Sequence, residues 1–166
     1  VSFAFQRGGN PLTVVNSCGI AMQPDAFSAR TEEYALQRRL YAYTRQDAST
    51  AVGRGLIDYA TSVDADDAIT KAGFIGFAVD RRAQPLDGAR GRGLLAPAAD
   101  PYEAGFMRDM LGQMADHDRL STTFRFRTGS SRLDERAEID KTRLISYLEK
   151  LPENTEIVFV GFTDDV

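Results

Sequence analysis

The residues best suited to chemistry lie at positions 161–165, in the sequence GFTDD. The apolar run at 157–160 precedes them and predicts a strand that is covered on both faces. Thr163 offers a hydroxyl, whereas Asp164 and Asp165 offer carboxylates that only accept hydrogen bonds when ionised. A carboxylate fixed at the end of a buried strand suits an ammonium ligand, a metal ion or a backbone N–H donor.

The residues alone leave several uses of these acids open. A hydrogen bond from an ammonium group to Asp164 is worth about 1.5–3 kcal/mol, so useful affinity requires partner residues. Two adjacent Asp side chains could instead hold Mg²⁺ in a metal-dependent enzyme. However, the sequence shows no third acid, nucleophile or phosphate-binding glycine loop to complete such a site. The acids could also cap a turn without any ligand, which is as plausible for Asp165 as a place in a pocket.

Composition excludes several classes of protein. The chain has 166 residues, a net charge of −4 and 43% hydrophobic residues, which is typical of a globular protein. The acidic balance argues against nucleic acid as the main partner. No apolar stretch approaches the roughly 20 residues that span a bilayer. A single histidine, His117, provides no catalytic triad, so we predict no catalysis and no cofactor.

The single cysteine, Cys18, has two main interpretations. It is either a small buried apolar residue or half of a disulfide whose partner precedes Val1. The sequence does not distinguish between these two interpretations.

Patterning divides the chain into two blocks, 1–79 and 102–166, joined by a Gly/Pro/Ala/Arg-rich linker at 80–101. In the first block we predict a loop at 25–33 and helices at 49–63 and 64–72. The second helix would end at Gly73, and Ser49 or Thr50 would cap the first. Predicted strands occupy 2–6, 12–16, 19–24, 35–44 and 74–79.

The second block contains a helix at 102–120 and then the order strand, helix, strand. Phe124 and Phe126 alternate with polar residues and predict a half-buried strand at 121–130. The helix at 133–151 carries an apolar stripe and ends at Pro152. The whole chain is therefore predicted to be an α/β (α+β) protein.

The second block resembles the first half of an OmpA-like peptidoglycan-binding domain, with its core at 120–166. The shared features are a Phe-rich strand, a small-residue turn at 129–131, Leu133, a long helix, Pro152, an apolar strand and the sequence GFTD at 161–164. The resemblance implies a truncated β-α-β unit. It also implies that Asp164 holds the amino group of diaminopimelate in a peptidoglycan stem peptide, with Thr163 and Asp165 lining the pocket.

The first block resembles the C-terminal part of a phosphate-type periplasmic solute-binding protein, an incomplete lobe of that fold. The matching stretches are QRGGN, the segment 16–44, and the helices that lead to AGFIGF. Together the two resemblances imply a non-catalytic envelope protein of a Gram-negative bacterium, in the periplasm and associated with the outer membrane. Its partner would be peptidoglycan. The alternative is that binding of phosphate or a similar anion is the main activity.

In the OmpA-like family the chain continues past the T-D sequence into a helix that carries an Arg, which grips the carboxylate of diaminopimelate. We therefore expect residues 1–166 to be part of a longer protein that holds the acidic half of the site. We also expect exposed apolar surface beside Val158–Val160 and on the Phe3–Phe5 strand, where neighbouring elements would be missing.

Overall fold

The structure is a computed structural model. It describes residues 9–15, 21–45, 50–85, 87–95 and 100–161. The predictions made for the Phe3–Phe5 strand, for Cys18 and for Ser49 lie outside these ranges.

The described residues form short helices and two small sheets. The helices are α1 Ala26–Arg30, α2 Ala51–Ala60, a 3-10 turn Val63–Ala65, α3 Asp66–Lys71, α4 Ala89–Leu95, α5 Pro101–Met114 and α6 Glu135–Leu148. The strands are β1 Val14–Val15, β2 Ala21–Met22, β3 Arg81–Arg82 and β4 Arg119–Leu120. Strand β1 pairs antiparallel with β2, and β3 with β4. The chain is thus a mixed α+β protein, as predicted at that level of description.

Helices predicted at four places are present, and their ends follow ordinary capping chemistry. Thr50 Oγ1 accepts a hydrogen bond from Gly53 N at the start of α2, over 3.0 Å. Gly73 follows α3 with a φ of 83°, the left-handed conformation expected of a residue that ends a helix. Asp134 caps α6 by accepting from Ala137 N at 2.7 Å.

The prediction of a loop at 25–33 was wrong, because α1 lies within it. Asp25 Oδ1 accepts from Ser28 N at 2.8 Å, and Ser28 Oγ accepts from Asp25 N at 3.3 Å. This reciprocal pair is a capping box, which stabilises a helix start even in a polar sequence.

The strand predicted at 74–79 is also absent. Arginine side chains take the place of a neighbouring strand there. Gly76 O accepts from Arg30 Nε at 3.1 Å, and Phe77 O and Ala78 O accept from Arg143 at 2.6 and 3.0 Å. Because these carbonyls are already satisfied, the segment needs no ladder partner.

Three other predicted strands do not form in full. Residues 37–45 have no regular structure, and Tyr43 is 89% exposed. The segment 121–130 contributes only an isolated bridge between Phe126 and Leu133. Residues 157–160 form no strand and are exposed, with Phe159 at 70%. The exposed apolar surface expected at Val158–Val160 is therefore present.

The spacing of Val52, Leu56, Ile57 and Tyr59 predicts an apolar side of α2 that faces the interior, but the structure does not bury this side. Val52 is 83% exposed, Leu56 64% and Tyr59 48%, and no residue of this helix is buried. Amphipathic spacing predicts which side of a helix is apolar, but it does not show that another element covers that side.

The segment 80–101, predicted as a linker, contains β3 and α4. Strand β3 pairs with β4 from the second block, with Arg81 opposite Leu120. The division at 1–79, 80–101 and 102–166 stays a prediction. None of the helices in the described ranges is both long and apolar enough to cross a membrane.

The interior contains as many polar as apolar side chains. Among the described residues, the buried apolar set is Phe27, Ala65, Ala104, Leu111, Ala137 and Leu144. The buried polar set is Ser28, Arg30, Thr31, Ser121, Asp140 and Arg143. Hydrogen bonds and ion pairs therefore position the elements more than apolar packing does.

We expect Gly76→Ala to destabilise the protein by about 1–3 kcal/mol in urea unfolding. A Cβ at this buried position would lie 2.9 Å from Asp66 Cγ and 3.1 Å from Asp66 Cα. Gly105→Ala in the middle of α5 is the matched control, because its Cβ would meet nothing within 4 Å. That control should stabilise the protein by about 0.5–1 kcal/mol. Equal effects of the two variants would contradict the close approach at Gly76.

Candidate functional site

The predicted binding residues, Thr163, Asp164 and Asp165, lie outside the described residues, so their positions stay predictions. The described chain reaches Gly161, directly before them. The structure does give the geometry of the elements that lead to this end of the chain: the segment 121–126, helix α6 and the extended segment 155–161.

The two segments on either side of α6 meet through aromatic side chains. The ring centroids of Phe124 and Phe159 lie 6.1 Å apart, with an angle of 58° between the ring planes. Such tilted pairs are worth about 0.5–1.5 kcal/mol beyond the area they bury. The contact brings the apolar run 157–160, which precedes the predicted binding residues, next to the segment 121–126.

Backbone contacts fix the segment that carries Phe124. Asp80 N donates to Ser121 Oγ at 2.8 Å, and Ser121 N donates to Asp80 O at 2.9 Å. Ser121 is fully buried. Thr123 N donates to Asp140 Oδ2 at 2.8 Å, which ties the same segment to α6.

A tight connection joins this segment to α6. Arg127 N donates to Arg132 O, and Asp134 N donates to Arg125 O, both at 2.9 Å. Gly129, between them, has a φ of 66°, which favours glycine. The small residues of the predicted turn at 129–131 thus reverse the chain and lead directly into the cap of α6.

Asp140 is the centre of the contacts made by α6. Its carboxylate is fully buried and accepts from Arg143 Nη1 at 2.5 Å. Arg136 Nη2 lies 3.3 Å from the same oxygen. Burial lowers the pKa of the Arg143 guanidinium, whereas the charge of Asp140 raises it. Burying such a pair is costly, so its partners must saturate it.

Glu32 is the centre of a second group of arginine contacts. Its side chain, 7% exposed, pairs with Arg39 at 2.5 Å, with Arg125 at 2.8 Å and with Arg136 at 3.8 Å. Its φ of 57° is a conformation that costs a non-glycine residue free energy. The ion pairs hold Glu32 in this conformation at the end of α1.

Glu33, the next residue, pairs with a different set of arginines. Arg119 donates to its two carboxylate oxygens at 2.9 and 2.6 Å, and Arg90 Nη1 lies 2.8 Å from Oε1. Burial raises the pKa of Glu33, but the hydrogen bonds and charge of Arg119 and the charge of Arg90 outweigh it. The net result is a pKa below its ordinary value.

These acids are structural groups and not free ligands, because arginines contact Glu32, Glu33 and Oδ1 of Asp140, and the Thr123 N–H donates to Oδ2 of Asp140. Within the described ranges, no group of three or more His, Cys, Asp or Glu residues is placed to hold a metal ion. Asp140 and Glu32 tie the segment 121–126 to α6 and to the end of α1, and Phe124 of that segment contacts Phe159.

Sequence reasoning missed this arrangement of arginines and acids. The signals were the adjacent acids in RTEE at 30–33 and the arginines alternating with phenylalanine in FRFR at 124–127. Each pattern is also typical of a solvated surface. Only the three-dimensional contacts, such as Arg125 with Glu32 across 93 positions, distinguish the two interpretations.

Comparison with known protein families, with curated proteins and with solved structures finds no match to this chain.

We expect Asp140→Asn to lower the free energy of unfolding by about 3–5 kcal/mol, because it leaves the Arg143 guanidinium buried without its counter-charge. Glu138→Gln in the same helix is the matched control. Its pair with Lys141 is also three residues apart, but the two side chains are 53% and 50% exposed. Urea unfolding should show a control effect within about 0.5 kcal/mol. A similarly small effect for Asp140→Asn would contradict the central role of Asp140 in the contacts with Thr123, Arg136 and Arg143.

The lowered pKa of Glu33 predicts a pH dependence. The folded state binds fewer protons there than the unfolded state, whose Glu33 titrates near the ordinary value of 4.5. The stabilisation is therefore complete above that value and is lost as the pH falls through the lowered folded pKa. Glu33→Gln should be less stable than wild type at pH 7, and the difference should shrink between about pH 5 and pH 3. Urea unfolding of both proteins across this pH range measures the difference. A stability difference that does not change with pH would contradict the lowered pKa of Glu33.

Proposed function

We propose that this protein is a non-catalytic cell-envelope protein that binds peptidoglycan through an OmpA-like domain within residues 102–166. The block 1–79 would be part of a periplasmic solute-binding module that this domain anchors. The corresponding location is the periplasm, associated with the outer membrane of a Gram-negative bacterium. Binding of phosphate or a similar anion by the first block stays a prediction.

The contact between Phe124 and Phe159 is the observation that best supports the proposal. In the family pattern, a Phe-rich segment, a helix and an apolar segment form a β-α-β unit whose two extended parts are neighbours. Here the two segments on either side of α6 are neighbours through these rings, 6.1 Å apart at their centroids. The turn at 129–131 and the Asp134 cap lie between the Phe-rich segment and α6, where the family pattern has its small-residue turn and the start of its helix.

Recognition would depend on one acid at the end of the apolar run. Asp164 would accept hydrogen bonds from the ammonium group of diaminopimelate, and Thr163 and Asp165 would line the pocket. A zwitterionic ligand needs groups of both signs, so an arginine would have to hold its carboxylate. An ammonium group and a metal ion would compete for the Asp164 carboxylate, because a bound metal ion repels the positively charged ammonium group.

The full-length protein should pellet with purified diaminopimelate-type peptidoglycan, and Asp164→Asn should weaken this binding at least tenfold. The reason is the loss of one charge-assisted hydrogen bond, worth about 1.5–3 kcal/mol. Sedimentation over a range of peptidoglycan concentrations gives the half-saturation point. Lysine-type peptidoglycan, which lacks the second carboxylate, should bind more weakly.

Glu153→Gln is the matched control, since Glu153 is an exposed acid of the same block. It should pellet like wild type. The proposal fails if wild-type protein pellets no better than an unrelated acidic protein, or if Asp164→Asn pellets as well as wild type. Loss of wild-type binding on chelation of divalent metals, together with loss of binding in Asp164→Asn, would favour the metal alternative.

A further inference from the structure

A cavity of about 220 Å³ is lined by residues of β2, α1, α4 and β4, and by the segment 82–85 that begins in β3. Its lining includes no residue of 155–161. Its apolar lining comes mainly from Met22, Phe27, Ala83 and Pro85. Phe27 is 3% exposed and forms a rigid wall of this cavity.

Three arginines line the same cavity, opposite two acids. Arg82 Nη1 lies 3.0 Å from Asp25 Oδ2, a one-to-one pair. Arg90 and Arg119 both pair with Glu33, at 2.8 and 2.6 Å from its Oε1. Two guanidinium groups therefore share one carboxylate, which leaves one positive charge uncompensated at the lining.

Phe27 holds two of these guanidinium groups in place. The Arg82 Cζ lies 4.3 Å from the Phe27 ring centroid, and the Arg119 Cζ lies 5.3 Å from it. Stacking of this kind orients a guanidinium and reduces the entropy that a ligand would have to remove on binding.

Arg90 has an unsatisfied donor beside the cavity. Its Nε is buried and donates no hydrogen bond in the structure, although its Nη1 pairs with Glu33. A buried N–H without an acceptor is costly. Burial and the charge of Arg119 lower the pKa of Arg90, and Glu33 raises it, which agrees with a local excess of positive charge.

We propose that this cavity binds a small carboxylate that carries an apolar body. The carboxylate lies against the guanidinium groups of Arg90 and Arg119 and compensates the charge that Glu33 leaves unbalanced. The apolar body packs against Phe27 and Pro85. The volume of about 220 Å³ is below the roughly 300–1,000 Å³ of most small-molecule pockets, so the ligand has the size of a single ring.

Sodium benzoate is the probe, and isothermal titration calorimetry at constant ionic strength measures its binding to the full-length protein. We expect millimolar or tighter affinity. Benzyl alcohol has the ring without the charge, acetate has the charge without the ring, and both should bind at least fivefold more weakly. If benzyl alcohol binds as well as benzoate, or if inorganic phosphate binds better, the assignment of an apolar carboxylate is wrong.

Arg90→Gln should weaken benzoate binding about tenfold or more, the effect of removing one charged hydrogen-bond donor. Arg92→Gln in the same helix is the matched control, because Arg92 is exposed and does not line the cavity. It should leave benzoate affinity unchanged. Equal affinities of Arg90→Gln and wild type would overturn the proposal.

A second variant tests the cavity without changing any charge. Ala83 is exposed at the cavity lining, so Ala83→Leu adds apolar volume there and leaves the arginines intact. It should lower benzoate affinity and leave the thermal midpoint of the protein without benzoate nearly unchanged. Undiminished benzoate binding by Ala83→Leu would place the ligand elsewhere and refute the assignment.

Discussion

The buried ion pair between Asp140 and Arg143 is the interaction on which the arrangement of elements depends. Asp140 is fully buried and Arg143 is 4% exposed, yet they link α6 to the segment 121–126 and to residues 77 and 78. Desolvation of two charges offsets much of their attraction, so such a pair contributes little net stability. Its main effect here is geometric, because few arrangements satisfy every donor and acceptor at once.

Ion pairs between acids and arginines also fix the chain directly after α1, at Glu32 and Glu33. Glu32 and Glu33 are adjacent, so their side chains point in different directions and contact different arginines. Glu32 contacts Arg125 and Arg136 from the second block, whereas Glu33 contacts Arg90 and Arg119. A few buried apolar residues could not by themselves orient so many short elements. The ion pairs of Glu32, Glu33 and Asp140 provide that orientation. They hold the segment that carries Phe124, which contacts Phe159 in the apolar run before the predicted binding residues.

Sequence reasoning predicted the four helices α2, α3, α5 and α6, because their signals are local, but it missed α1 and α4. Thr50, Gly73 and Asp134 act within one turn of their own helix, and each occupies the position that its chemistry favours. Of the predicted strands, those at 12–16 and 19–24 contain β1 and β2. The strands predicted at 35–44, 74–79, 121–130 and 157–160 do not form, because a strand requires a partner that can be distant in sequence. The segment 74–79 has the composition of a strand but contacts arginines. The candidate site was predicted from the order of motifs, whereas its supporting contacts span as many as 106 positions, from Arg30 to Arg136.

The arginine contacts at Gly76, Phe77 and Ala78 have a consequence for association between chains. The sequence FIGFAV is apolar and uncharged, features typical of segments that stack into cross-β fibrils. Such stacking requires free carbonyl groups along the segment. Three consecutive carbonyls are already occupied by Arg30 and Arg143. The folded chain therefore protects this apolar segment with side chains and not with a neighbouring strand.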